Sequence, residues 1–204
     1  MNIRGRSRTL RINYRTSHQI RSQADRLLGP EIADVDGNQE VRKGTVSVFN
    51  GPQPVVETAA TIDDEADRVA QWVKARLDEG VRHHEIGIFV RSAAEMPRAV
   101  KAVESAGVPF VELDDAIGSK RDHVALSTMH RGKGLEFRAV AVIACDDEVL
   151  PLQERIESSA DDSDLAEVYA TERHLLYVAC TRARDHLLVT GVEPASEFLE
   201  DLGE

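Results

Sequence analysis

The stretch VALSTMHRGKGLEFRAVAVIACD, residues 124–146, decides the fold. Two apolar runs, VALSTMH (124–130) and AVAVIACD (139–146), read as strands. Neither shows the alternation of a half-solvated strand, so both belong in a covered sheet. They flank RGKGLEFR, where Gly132 and Gly134 permit close backbone approach and amides can face an anion. Ligands of α/β folds sit in the crevice at the strand ends. On spacing alone, a tight connection explains these residues equally well.

Outward from this stretch, strands and helices alternate. On the amino-terminal side, DDAIGSKRD (114–122) is a short polar connection and VPFVEL (108–113) a strand. AAEMPRAVKAVESAG (93–107) is a helix that tolerates Pro97 near its first turn. EIGIFVRS (85–92) is a strand buried on both faces. Before it, Thr61 and Asp64 resemble a capping box. Ala66, Val69, Ala70, Val73 and Leu77 follow as one helical stripe that Gly80 ends. GPQP (51–54) is a breaker, TVSVFN (45–50) a strand, and 30–44 a polar surface excursion. Ser17 caps a helix over HQIRSQADRLLG, and RTLRIN ahead of it alternates as a strand. On the carboxyl-terminal side, 151–166 is acidic and loop-like. AEVYATERHLLYVACTRAR (166–184) is a helix and HLLVTG (186–191) the closing strand. This alternation means a mostly parallel sheet with helices on both faces.

Composition bounds the function. The chain has 204 residues, 42% hydrophobic and 30% charged, the balance of a soluble globular protein. No apolar run approaches the roughly 18 residues of a membrane span, and the amino terminus has no signal-peptide core. Cys145 and Cys180 are too few for a disulfide framework or a cysteine zinc site, which suits a reducing cytoplasm. The net charge of −11 argues against strong independent nucleic-acid binding. Residues 1–28, however, hold seven arginines against Asp25 alone.

A phosphate-cradling loop needs G-x-x-x-x-G-K-[ST]. Gly132-Lys133 is the single Gly-Lys pair, and Gly134 follows it, so a Walker A loop is excluded. Arg182 and Arg184 stand at a helix end, where a cation is welcome for structural reasons alone. Arg15 stands beside a helix amino terminus, where an anion brought to it would account for a cation. Taken singly, it is a solvated arginine. His83-His84-Glu85 has no third partner at metal spacing, and His18, His123, His174 and His186 have no triad partner. Trp72 and Tyr177 read as core or interface residues, and Cys180 as buried.

Three segments together carry a resemblance. NYRTSHQI (13–20), STMHRGKGLEFRAVAVIACDDEVLPLQ (127–153) and ERHLLYVACTRARDHLLVTG (172–191) resemble motifs IV, V and VI of the UvrD/Rep-type superfamily 1 DNA helicases, in family order. IGIFVRSAAEMPRAVKAVESAGVPFV (86–111) is similar to the strand–helix–strand between motifs IV and V. The resemblance runs from about residue 8 to residue 191.

It implies a RecA-like α/β domain over 1–204, a P-loop NTPase-like fold without the Walker A loop. This would be the second motor domain of a 3′ to 5′ DNA helicase or translocase. Arg15 and Arg182 would reach the γ-phosphate as arginine fingers. Glu136 would meet the ribose hydroxyls, with Gly134 in the same nucleotide-binding turn. Thr128, His130 and Lys133 would contact the DNA backbone. ATP and Mg²⁺ belong to the intact protein, and this fragment would bind neither tightly. Its partners would be the amino-terminal RecA-like domain and single-stranded DNA, in a bacterial cytoplasm. The family's accessory insertion is reduced here to about 114–122. The abrupt start suggests an excised carboxyl-terminal fragment with an added initiator Met. A docking module derived from a helicase and an RNA-polymerase-associated motor are the rival readings. The resemblance also implies that Arg15, Glu136 and Arg182 converge on one sheet edge, with both arginines largely exposed. Thr128 and His130 should open onto a neighbouring surface.

Overall fold

The computed structural model describes residues 12–28, 31–33, 39–41, 46–113, 120–132 and 134–203. Six strands build the main sheet: β1 (Val55–Ala59), β2 (Ile86–Val90), β3 (Phe110–Glu112), β4 (Val124–Thr128), β5 (Phe137–Val142) and β6 (Ala183–Val192). Their order across the sheet is β1-β6-β5-β2-β4-β3. Every pairing is parallel. All carboxyl ends therefore lie on one side of the sheet and all amino ends on the other.

Burial explains why helices cover both faces. Each residue of β2 is buried, so neither face can be left to water. Ile86, Ile88 and Val90 point to one side, where they pack with Ala66, Val69 and Val73 of α2 (Ile62–Asp78) and Ala99 and Val103 of α3 (Met96–Ala106). Phe89 points to the other side. There Val140, Val142, Leu187 and Val189 meet α1 (His18–Ala24), α5 (Asp162–Cys180) and α6 (Phe198–Gly203). A short α4 (Gln153–Glu157) precedes α5.

Local capping fixes three helix starts, two of them, at Ser17 and Thr61, as the sequence suggests. Ser17 caps α1 and accepts from the Ile20 amide at 3.4 Å. Thr61 accepts from the Asp64 amide at 3.1 Å, while Asp64 accepts from the Ala60 amide in return. Asp161 caps α5 by accepting from the Ser163 and Asp164 amides.

Helices α2 and α3, which share one face, are keyed to the carboxyl ends of the sheet by a buried polar hub. Glu65 of α2, 1% exposed, accepts from the Ala144 amide (3.0 Å), Thr190 Oγ1 (2.9 Å) and Arg98 Nε (3.0 Å). Arg98 of α3 also reaches Asp146, which accepts from the Val192 amide at 2.6 Å. With its lone pairs matched, the buried carboxylate is tolerated and fixes one packing of α2 on the sheet.

Four sequence-based expectations change. The strand Val55–Ala59 was hidden by the GPQP breaker before it, and Glu57 suits its place at the sheet edge. The acidic stretch 151–166 is not a loop. It holds α4 and the start of α5, where acids complement the helix amino terminus. Helix α5 ends at Cys180, so Arg182 lies in the turn and Arg184 inside β6. Of TVSVFN only Val46–Ser47 is strand, paired in parallel with Ile12–Asn13, and the excursion before it contains an antiparallel pair, Glu31–Ala33 with Gln39–Val41. The strand start 8–11 and most of the connection, 114–119, lie outside the described residues.

Candidate functional site

The segment after β4 must return from the carboxyl end of the sheet to its amino end, because β4 and β5 run the same way. It does so in eight residues. A single 3₁₀ turn, Met129–Gly132, leaves Thr128, and the chain reaches β5 directly after Glu136. Gly134 takes φ 89°, a left-handed conformation that side chains resist, which gives the reversal its sharpness. The site is therefore split. Thr128 and His130 stand at the carboxyl end, as the crevice rule expects. Glu136 and Arg182 each directly precede a strand and stand at the amino end.

At the amino end, three segments are laced together through the backbone. The Phe137 amide donates to the Arg182 carbonyl (3.0 Å) and the Ser17 amide to the Arg184 carbonyl (3.0 Å). Thr16 Oγ1 donates to the Thr181 carbonyl (3.3 Å), and Thr181 Oγ1 to the Tyr177 carbonyl (2.9 Å). This lacing brings Arg15 to Glu136, with Nε and Oε2 3.2 Å apart and the side chains 59% and 47% exposed. Arg182 Nε donates to the Val178 carbonyl (3.0 Å) and Nη1 to the Leu135 carbonyl (3.4 Å). A cavity of about 280 Å³ opens between Arg15, Thr16, Arg21, Tyr177, Thr181 and Arg182.

Arg15, Glu136 and Arg182 thus come together from positions far apart in sequence. Arg15 is exposed. Arg182 is half-buried, more than expected, because the Val178 carbonyl of α5 and the Leu135 carbonyl before β5 hold it. Burial first, and then the Arg15 charge, pull the Arg182 guanidinium below the usual arginine range. Two cations crowd here, and the environment of the site favours an anion between them.

At the carboxyl end Thr128 is half-buried and His130 exposed. Partial desolvation of its ring, and then the Arg91 charge, lower the His130 pKa from the ordinary histidine value. Arg91 directly follows β2 and is buried against Glu172 of α5, which Arg155 also joins at 3.0 Å. Lys133 lies outside the described residues.

Sequence reasoning missed the lining residues Arg21, Thr16, Thr181 and Tyr177, and the Arg91–Glu172 pair. A usable signal existed for that pair. An arginine directly after five apolar strand residues, and a lone acid at the head of HLLYVAC, each demand a buried partner. Both cysteines are buried, which raises their thiol pKa values, Cys180 to about 12. No group of metal-binding side chains occurs among the described residues, and none of their helices is long and apolar enough to cross a membrane.

The family described as UvrD-like helicase C-terminal domain matches residues 111–193. The ATP-dependent DNA helicase Rep of Buchnera aphidicola is 40% identical over 77 residues, 38% of this chain and 11% of Rep. The ATP-dependent DNA helicase PcrA of Staphylococcus epidermidis is 37% identical over 79 residues, 39% of this chain and 10% of PcrA. The chain therefore spans about a tenth of the length of these relatives. In fold, it is similar to the C-terminal domain of a possible DNA helicase from Lactobacillus plantarum WCFS1. That likeness has a TM-score of 0.63 and 22% identity, and covers 93% of this chain and 94% of the other. The matched segment, 111–193, holds Thr128, His130, Glu136, Thr181 and Arg182, and over it the chain is similar to the UvrD-like helicase C-terminal domain; Arg15, Thr16 and Arg21 lie before it.

Proposed function

We propose that this chain is the second RecA-like motor domain of an ATP-dependent, 3′ to 5′ DNA helicase or translocase, forming one domain over 1–204. The observation that carries the reading is the meeting of Arg15, Glu136 and Arg182 at the amino ends of the strands. A cavity lined by guanidinium groups fits a phosphate, and an amino-terminal motor domain would bring the nucleotide with its Mg²⁺ to this edge. Bound ATP supplies the phosphoryl group to be transferred.

The chain's own residues then have separate tasks. Arg182 is held by two carbonyls, so its planar fork is preorganised before the nucleotide arrives. It stabilises charge that builds on the γ-phosphate oxygens. Arg15 starts on Glu136 and moves to the phosphate. That releases Glu136 to accept hydrogen bonds from the ribose hydroxyls, with Gly134 letting the turn approach. Thr128 and His130, at the opposite end of the sheet, contact the backbone of single-stranded DNA, a task shared by Lys133 of the same motif. Opening and closing of the interdomain cleft moves the strand.

The test pairs this chain with the amino-terminal motor domain of its parent protein. Alone, residues 1–204 should show no DNA-stimulated ATPase, and the joined protein should regain it. Turnover that scales with the concentration of the isolated chain overturns the half-site reading.

A further inference from the structure

Strand β1 closes one side of the main sheet. It pairs in parallel with β6 from Val55 to Ala59, and among the described residues no strand lies on its other side. An edge strand carries a row of outward N–H and C=O groups that a further strand can bind. Val55 is 40% exposed, and Thr58 is exposed as well. Beside this edge, a groove of about 360 Å³ opens between β1 and α6. Its floor is apolar: Val56 and Ala195 pack against the core, and Leu199 is buried.

The rim of the groove is acidic. Glu193 follows β6, with its amide donating to the Ala59 carbonyl at 3.0 Å, and Glu200 stands on α6. Both are exposed, and no described cation pairs with either carboxylate. Side chains of a strand alternate, so Val56 faces α6 and Glu57 faces α2. There Arg68 lies 3.6 Å from Glu57 but 2.9 Å from Asp64, so Glu57 is only partly offset.

These acids decide between occupants. A second copy of the chain would set the same carboxylates against each other, and like charges on paired strands repel. A nucleic-acid strand is repelled for the same reason. An extended basic protein segment meets every feature. Its backbone pairs with the open edge, its cationic heads reach the rim, and its alkyl stems cover the floor.

We propose that the outer edge of β1 and the groove beside α6 form a docking surface for a partner protein, which adds an extended segment as a seventh strand and places lysine or arginine at Glu193 and Glu200. The surface shares no lining residue with the guanidinium cavity and does not depend on the motor-domain reading.

The experiment uses the isotope-labelled chain 1–204 and a capped peptide of alternating lysine and valine, with backbone amide shifts followed by NMR. The peptide should produce saturable shifts centred on Val55–Ala59, Ala195 and Leu199. The same peptide N-methylated at alternate residues keeps its charge but cannot pair as a strand, and it should fail to bind. Glu193→Gln with Glu200→Gln should weaken binding about fivefold, the loss of two exposed charge pairs. Glu104→Gln with Glu112→Gln, which removes as much charge from α3 and β3, should leave binding unchanged. Shifts that are absent or centred away from β1 overturn the proposal. So does equal binding of the N-methylated peptide, which would show a contact of charge alone, or parent-like binding by the Glu193 and Glu200 double variant. Self-association of the chain through β1, or the same shifts with single-stranded DNA, overturns the choice of a basic protein segment.

Discussion

Arg91 and Glu172 form a buried two-point ion pair, Nε to Oε2 at 2.5 Å and Nη2 to Oε1 at 2.6 Å, with side-chain exposures of 4% and 0%. It ties the end of β2 to α5, the helix whose last turn leads into Arg182. Glu172 sits against opposing influences. Burial alone would raise its carboxyl pKa, but the hydrogen bonds and charge of Arg91, then of Arg155, hold it below the usual range.

Removing one partner of such a pair leaves a buried charge unmatched. Glu172→Ala should therefore destabilise the chain by about 3–5 kcal/mol, measured by urea unfolding. Arg155→Ala should cost far less, because Arg91 still satisfies the carboxylate. Equal losses in the two variants would show that the pair does not act as described.

Acid should unfold the chain in two stages. Burial, and then the Arg76 charge, lower the pKa of His186, and Arg76 Nη1 lies 3.3 Å from its Nδ1. The unfolded state takes up protons first, so stability falls as pH drops through about 6.5. Glu172 and Asp185 have lowered carboxyl pKa values, so their contribution is present above the usual carboxylate range and is lost below it. Denaturant midpoints between pH 7.5 and 3 should follow this course. His186→Gln should shrink the upper stage, to which His130 also contributes, and leave the lower one.

Gly191 packs its Cα against the backbone of the neighbouring segment. A Cβ there would stand 2.2 Å from the Cys145 carbonyl oxygen. Gly191→Ala should cost about 3 kcal/mol or more, since backbone, not a flexible side chain, would have to shift. A melting temperature within a few degrees of the parent's contradicts this packing.

Glu148 is exposed and takes φ 65°, a left-handed conformation that costs a side-chain-bearing residue about 1–2 kcal/mol. Glu148→Gly removes that cost against a smaller gain in unfolded-chain entropy. It should stabilise the chain by up to about 1 kcal/mol, read as a higher denaturant midpoint with unchanged slope.

In the joined two-domain protein, Arg15→Ala and Arg182→Ala should lower kcat, with KM for ATP moving less. Loss of one finger in this chemistry reaches about 10³–10⁵-fold. Lysine should rescue poorly at Arg182, because the two carbonyls orient a planar fork that an ammonium lacks. Near-parent kcat in both alanine variants would remove the arginines from the mechanism.

The parallel sheet was legible because β2, β4 and β5 are apolar on both faces, and only helices on each side can cover them. Caps at Ser17 and Thr61 were legible because the hydrogen bond they make is local. The edge strand Val55–Ala59 was not, because a half-covered strand containing Glu57 and following GPQP lacks that density. Charge misled at 151–166, where acids complement a helix start instead of marking a loop.

For the site, the sequence groups Arg15, Glu136 and Arg182 only through its resemblance to helicase motifs, with Thr128 and His130 in the same segment as Glu136. Their partition between two ends of the sheet is a tertiary result. A residue directly after a parallel strand and one directly before it are separated by the length of that strand, and no spacing in the chain reports the direction of return. Arg21, Thr16, Tyr177 and Thr181 share a cavity because α1 and α5 pack on one face. That depends on contacts between residues more than 150 positions apart, such as Thr16 with Thr181. Local propensity carries no information about such contacts, and burial in the folded core does.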